Sequence, residues 1–65
     1  MYYRIFISEN DDHSWFVGID KEGNIIKTDN IRYAKIIEKH NIIYLLNYLK
    51  KITLNKNITF KEILI

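Results

Sequence analysis

SWFVGIDKEGNIIKT, residues 14–28, is the segment around which the rest of this chain can be arranged. Trp15, Val17 and Ile19 alternate with their neighbours, and residues two apart share one face of a β-strand. Gly23 follows in a polar turn, where a residue without a Cβ atom adopts a positive φ at little cost. The segment therefore predicts a β-hairpin whose core face carries Trp15, Val17 and Ile19.

Two further strands complete the predicted sheet. Residues 2–8 alternate in the same way, with Tyr3, Ile5 and Ile7 on the core face, and residues 25–28 form the second arm of the hairpin. Because strands that are adjacent in sequence usually pair in space, we expect a three-stranded antiparallel meander. One face of this meander then requires a cover of helices.

Residues 28–52 are predicted to supply that cover. The tripeptide at 28–30, Thr-Asp-Asn, consists of common N-cap residues, and apolar residues follow at helical spacing, so a helix should begin near Asn30. A single straight helix would carry apolar residues around its whole circumference, which a break at residues 40–41 avoids. We therefore expect two helices or one sharply bent helix. The second half would bury the stripe Ile42, Leu45, Leu46, Leu49 and Ile52.

The C-terminal residues contain a helix-start signal. Thr59 is followed three residues later by Glu62, as in a capping box, and Ile58 and Ile63 occupy the positions of a hydrophobic staple. We expect residues 60–65 to form a short helix, with an edge strand as the alternative, because residues alternate imperfectly here. The predicted fold is thus α+β, a three-stranded antiparallel meander followed by two helices (or one bent helix) and a short C-terminal helix, in one domain of residues 1–65.

Length and composition limit the classes of function. The chain has 65 residues and no cysteine, so it has room for one small core and can form neither a disulfide nor a thiolate zinc site. It contains no apolar run long enough to cross a membrane and no signal-peptide pattern, so we expect a cytoplasmic protein without membrane contact.

Charge is distributed unevenly along the chain. Residues 1–29 carry three basic and six acidic side chains, a balance of −3, whereas residues 30–65 carry seven basic and two acidic side chains, a balance of +5. Such an asymmetry can steer a charged partner, although ordinary solvated faces also explain it.

The sequence lacks the common motifs of catalysis. No phosphate-binding loop, dinucleotide-binding glycine pattern, nucleophile elbow or metal-spaced histidine pair is present. Acidic and hydroxyl side chains crowd residues 8–13 beside His13, and such a group could hold a divalent ion or exchange protons. The segment lacks the alternating acids and the glycine of a calcium loop, so a solvated loop is favoured. We expect no enzymatic activity, no metal and no cofactor, with His40 satisfying carbonyl groups at a helix end.

Two surfaces are candidates for binding a partner. The first is the sheet face turned away from the helices, where aromatic and basic residues should lie together: Arg4, Phe6, Phe16 and Lys27. Such a mixture is typical of single-stranded nucleic-acid readers and of the centres of protein interfaces. The C-terminal segment could instead fold over this face and bury it. The second surface lies on the helices at Lys50 and Lys51, which could follow phosphates.

The sequence favours a small non-catalytic binding protein. Its expected partner is a host protein or ribonucleoprotein that handles nucleic acid, as for phage and mobile-element inhibitors of the anti-CRISPR and other anti-defence types. The alternative is a nucleic-acid-binding accessory or regulatory protein that uses the aromatic and basic sheet face or the helix lysines. A homodimer is compatible with both.

Overall fold

A computed structural model describes all 65 residues. Along the chain it contains β1 (Tyr2–Glu9), β2 (Asp12–Ile19), β3 (Ile25–Thr28), a single 3-10 turn (Ile31–Tyr33), β4 (Ile37–Glu38), α1 (Lys39–Ile52) and β5 (Ile58–Leu64). The five strands form one antiparallel sheet, and α1 packs against one of its faces. The predicted meander with two helices and a short C-terminal helix is therefore wrong, because segments assigned to helices belong to the sheet. Neither helical element has the length and apolar character needed to cross a membrane.

β1 is the central strand of the sheet. It pairs with β2 along one edge and with β5 along the other, while β3 extends the sheet beyond β2. Tyr3 pairs with both Ile37 of β4 and Leu64 of β5. A strand residue pairs with one neighbouring strand on each side. Since β5 occupies one side of Tyr3, β4 must lie on the other side of β1, next to the first residues of β1, which β2 does not reach. The order is β3-β2-β1-β5, with β4 beside the first residues of β1.

The turn between β1 and β2 sets which residues of β2 face the core. The two strands pair from Glu9 and Asp12 onward, so the turn has only two residues, and Asn10 adopts a left-handed φ of 55°. Asparagine tolerates this conformation better than most residues. With this register Ser14 lies opposite the buried Ile7, and Trp15 is directed to the opposite face.

A β-bulge at Val17 then reverses the alternation of β2. Phe16 and Gly18 pair with consecutive residues of β3, so Val17 is the extra residue. As a result Phe16 and Ile19 both contact the core, whereas a strict alternation would have placed them on opposite faces. The predicted core face of this strand is wrong for Trp15 and correct for Ile19.

The predicted hairpin of β2 and β3 is present. Gly23 has a φ of 86°, as its turn requires. The Asp20 carboxylate accepts hydrogen bonds from the backbone N–H groups of Glu22 (3.0 Å) and Asn24 (2.8 Å). These bonds satisfy backbone donors that the turn would otherwise leave free.

The helix predicted from Asn30 is limited to the 3-10 turn. The Asn30 side chain accepts a hydrogen bond from the Arg32 N–H at 3.0 Å, as an N-cap does, but the backbone becomes extended at Ala34. The Lys35 N–H donates to the Phe16 carbonyl at 2.8 Å, and β4 follows immediately. Backbone groups along the vacant edge of β1 need partners, and satisfying them there outweighs the local preference for a helix.

α1 is continuous through residues 40–41, where a break was predicted. It begins at Lys39, directly after β4, and its buried side is formed by Ile42, Leu46 and Leu49. These residues belong to the stripe predicted for the second half of the helical region. The Thr53 hydroxyl donates to the Leu49 carbonyl at 2.8 Å and satisfies one acceptor of the last turn.

The C-terminal residues form strand β5, and the predicted short helix is wrong. β5 pairs with β1 over seven residues in an unbroken register, and Phe60 is buried beneath α1. The alternative of an edge strand is the correct one, because the ladder with β1 provides more partners than one capped helical turn. The segment lies beside β1 and does not fold over the face opposite the helix.

The core lies between α1 and the sheet. Its buried apolar residues are Ile5, Ile7, Phe16, Ile37, Ile42, Leu46, Leu49 and Phe60. Ile5, Ile7 and Leu49 are completely buried, and each such side chain contributes about 1.5–3 kcal/mol of stability.

Candidate functional site

The sheet face opposite α1 carries the candidate site, which we call the open face. Because side chains alternate along a strand, the residues of β1, β2 and β5 that point away from the helix follow from the register. They are Tyr2, Arg4, Phe6 and Ser8 of β1, His13 and Trp15 of β2, and Thr59, Lys61 and Ile63 of β5. The 3-10 turn packs on β2.

Three aromatic rings meet at the centre of the open face. Phe6 pairs with Trp15 across the ladder, and their ring centroids are 5.1 Å apart in an edge-to-face arrangement at 67°. Phe6 also stacks with His13, two residues before Trp15 on β2, at 5.3 Å and 18°. The Ser8 hydroxyl lies 3.1 Å from His13 Nδ1 and helps to hold that ring. Each such ring pair contributes about 0.5–1.5 kcal/mol, so the cluster has a defined geometry.

Two cations flank the aromatic cluster. Lys61 lies directly opposite Phe6 on β5, and Arg4 lies two residues before Phe6 on the same face of β1. Neither Arg4 nor Lys61 forms an ion pair; Lys27 pairs with Glu9, and the His40 ring lies near the Glu38 carboxylate. The Nε atom of Arg4 is buried without a hydrogen-bond partner. Because neither side chain is in an ion pair, the Lys61 ammonium and the terminal amino groups of Arg4 keep donors available for a bound acceptor, whereas the buried Nε does not contribute.

Carboxylates are directed away from this part of the sheet. In β1, β2 and β5 the acidic side chains are Glu9, Asp12 and Glu62, and the register places all three on the helix side. Glu38 of β4 is the exception, since it lies opposite Tyr2 at a corner of the sheet. Its carboxylate is 3.1 Å from His40 Nδ1. The centre of the open face thus combines aromatic rings with positive charge only.

The structure brings together half of the sheet residues predicted for this site. Arg4 and Phe6 lie on the open face as expected. Phe16 was expected there, but it is 3% exposed and belongs to the core. Lys27 lies opposite Phe16 on the helix side, and its Nζ contacts a Glu9 carboxylate oxygen at 2.9 Å. The predicted orientation of these two residues is wrong, because the two-residue turn sets a β1–β2 register that puts Phe16, and Lys27 opposite it, on the helix side.

Lys50 and Lys51 are exposed in the last turn of α1. They are remote from the aromatic cluster, because α1 covers the other face of the sheet. Cations in the last helical turn interact favourably with the helix dipole, by about 0.3–1 kcal/mol each. This structural role accounts for both lysines without a ligand.

Sequence reasoning missed three contributors to the open face. Trp15 was assigned to the core, His13 to a solvated loop, and Lys61 to a helix. The signal for the first two was the short Asn10-Asp11 connection, which determines the β1–β2 register. Lys61 carries no local signal of this kind, because its position depends on the pairing of β5 with a strand more than fifty residues earlier.

Comparison of the chain with protein-family models, with curated proteins and with solved structures finds no match. The protein is therefore characterised by its own geometry, as an α+β chain in which a single helix covers one side of a five-stranded antiparallel sheet. Its other side presents an aromatic cluster between two unpaired cations.

Proposed function

We propose that this chain is a small non-catalytic binding protein that acts in the cytoplasm through its open face. The observation that supports this proposal is the aromatic cluster of Phe6, Trp15 and His13 with Arg4 and Lys61 beside it. Phe6 and Trp15 are only partly buried and lie outside the core cluster, so part of each ring is accessible to a partner. Trp and Arg are among the residues that most often dominate binding energy at interfaces.

The partner that we propose is a nucleic-acid-handling protein or ribonucleoprotein of a host cell. The protein would bind it stoichiometrically, as a phage or mobile-element inhibitor of the anti-CRISPR or another anti-defence type. Two features support this form of the proposal. The chain is small, and its concentrated aromatic and cationic surface is a sheet face, which is suited to covering part of a partner's surface.

A matched pair of variants tests the proposal. Arg4→Gln with Lys61→Gln removes two charges from the open face, and Lys50→Gln with Lys51→Gln removes the same charge from α1. Both variants should remain folded by circular dichroism, because all four side chains are free of ion pairs. After cross-linking in a host extract, the unmodified protein and the helix variant should recover the same macromolecular partner, and the open-face variant should lose it.

Two outcomes would contradict the proposal. One is that the unmodified protein recovers no macromolecule in a fixed stoichiometry. The other is that the open-face variant recovers the partner as well as the unmodified protein does, while the helix variant fails.

A further inference from the structure

We infer that the open face binds a single strand of nucleic acid, with phosphates at Arg4 and Lys61 and an unpaired base against Trp15. This inference rests on the proposed function, because it names the chemistry that the same face recognises in its partner. A ribonucleoprotein would present such a strand wherever its nucleic acid is not base-paired.

Charge is the first argument for this occupant. Arg4 and Lys61 form no ion pair, and the carboxylates of β1, β2 and β5 point to the helix side. An apolar protein surface placed over this face would bury both cations without partners, which is strongly unfavourable. A polynucleotide supplies a phosphate at every residue along its length. The terminal amino groups of the Arg4 guanidinium are the donors that a phosphate oxygen can reach, because Nε is buried.

The aromatic rings provide the second argument. Bases that are already paired cannot reach a flat sheet surface, whereas unpaired bases stack on aromatic side chains. His13 and Trp15, two residues apart on β2, both contact the Phe6 ring, and Trp15 meets it edge to face. Trp15 is only partly buried, so part of its indole is available for stacking.

Open space at Gly18 is the third argument. Gly18 is the next residue of β2 that pairs on the open face, and an added Cβ atom there would meet no atom within 4 Å. Its φ lies outside the left-handed region, so the backbone accepts other residues. A leucine at this position would fill the free space without removing any ring or charge.

The experiment uses the single tryptophan of the chain as its reporter. Trp15 fluorescence and oligonucleotide anisotropy are measured with single-stranded oligothymidine of about 12 nucleotides, a length within the range that small sheet domains bind. We expect saturable binding with quenching of Trp15. With two phosphate contacts the slope of log K against log[salt] should be about −1.4, or roughly a 7-fold loss of affinity from about 50 to 200 mM salt.

Variants separate stacking from charge. Trp15→Leu should weaken binding by about 5- to 140-fold, the range for the loss of one base stack, and Trp15→Phe should restore most of it. Arg4→Gln with Lys61→Gln should flatten the salt dependence, whereas Lys50→Gln with Lys51→Gln should leave it unchanged. Gly18→Leu should weaken binding while the fold, monitored by circular dichroism, is retained.

Three results would overturn the inference. They are flat anisotropy at low salt, binding without any change in Trp15 fluorescence, and loss of binding in the helix variant but not in the open-face variant. If oligonucleotides fail to bind while the open-face variant still loses its macromolecular partner, the inference is wrong and the proposed function stands, with a protein surface as the contact.

Discussion

Truncation of Phe16 should be far more damaging than truncation of its neighbour Trp15. Phe16 is 3% exposed and belongs to the core cluster, and replacing a buried Phe by Ala costs about 3–5 kcal/mol, including the cavity that remains. At about 0.05–0.15 kcal/mol per residue, 65 residues correspond to a stability of roughly 3–10 kcal/mol. Phe16→Ala should therefore unfold a large part of the population, and in a marginal chain all of it.

Trp15→Ala should have a smaller effect. Trp15 is half-buried on the open face, so the variant loses part of its burial and the edge-to-face pair with Phe6, together about 1–3 kcal/mol. Far-UV circular dichroism in a urea titration measures both variants without relying on tryptophan fluorescence. A Trp15→Ala variant as unstable as Phe16→Ala, or more so, would refute the β1–β2 register that places Phe16 inside.

Tyrosine substitutions keep this test in a measurable range. Phe16→Tyr places a hydroxyl in an apolar core, and an unsatisfied buried hydroxyl costs about 1–3 kcal/mol. Trp15→Tyr retains an aromatic ring on a face that water reaches, so its cost should stay below about 1 kcal/mol. The order of the two urea midpoints reports directly which residue faces the core. Equal midpoints would contradict the assignment.

Further predictions concern the turns and β5, with urea unfolding as the measurement. Gly23→Ala should cost about 1–2 kcal/mol because φ is 86°, whereas Gly18→Ala, with free space around its Cβ, should be neutral or slightly stabilising. Asn10→Gly should change the free energy of unfolding by only a few tenths of a kcal/mol, because both asparagine and glycine tolerate the left-handed φ of this position. Phe60→Ala should cost about 3–5 kcal/mol and Glu62→Ala less than about 0.5 kcal/mol. A large cost for Glu62→Ala would instead support the capped helix that the tail sequence suggests.

The local parts of the fold could be predicted from the sequence. Alternation over residues 2–8 identifies β1 and its two faces, the Gly23 turn identifies the β2–β3 hairpin, and the helical period identifies the buried side of α1. Each of these signals lies within one element or the turn between two adjacent ones, so reading it requires no information about residues that are distant in sequence. Arg4 and Phe6 were assigned to the correct face for the same reason.

The candidate site was only half predictable, because it depends on register. The two-residue turn at Asn10-Asp11 sets a β1–β2 register that puts Phe16, and Lys27 opposite it, on the helix side, and the bulge at Val17 then returns Ile19 to the same side. The alternation of the sequence shows neither effect, so the prediction for Phe16 and Lys27 was wrong. A one-residue change of phase moves every following side chain to the other face, and for that reason a small error in β2 altered the composition of the site.

By itself, the sequence determined that the chain has an amphipathic first strand, a hairpin, one apolar helical stripe, and aromatic and basic residues that the core does not require. Tertiary structure determined the conformation of residues 31–38 and 58–64, where the capping signals in the sequence favour a helix. Both segments instead join β1, whose backbone N–H and C=O groups lack partners along two edges. Those edges lie far away in sequence, and only the assembled sheet places Lys61 beside Phe6 and Trp15.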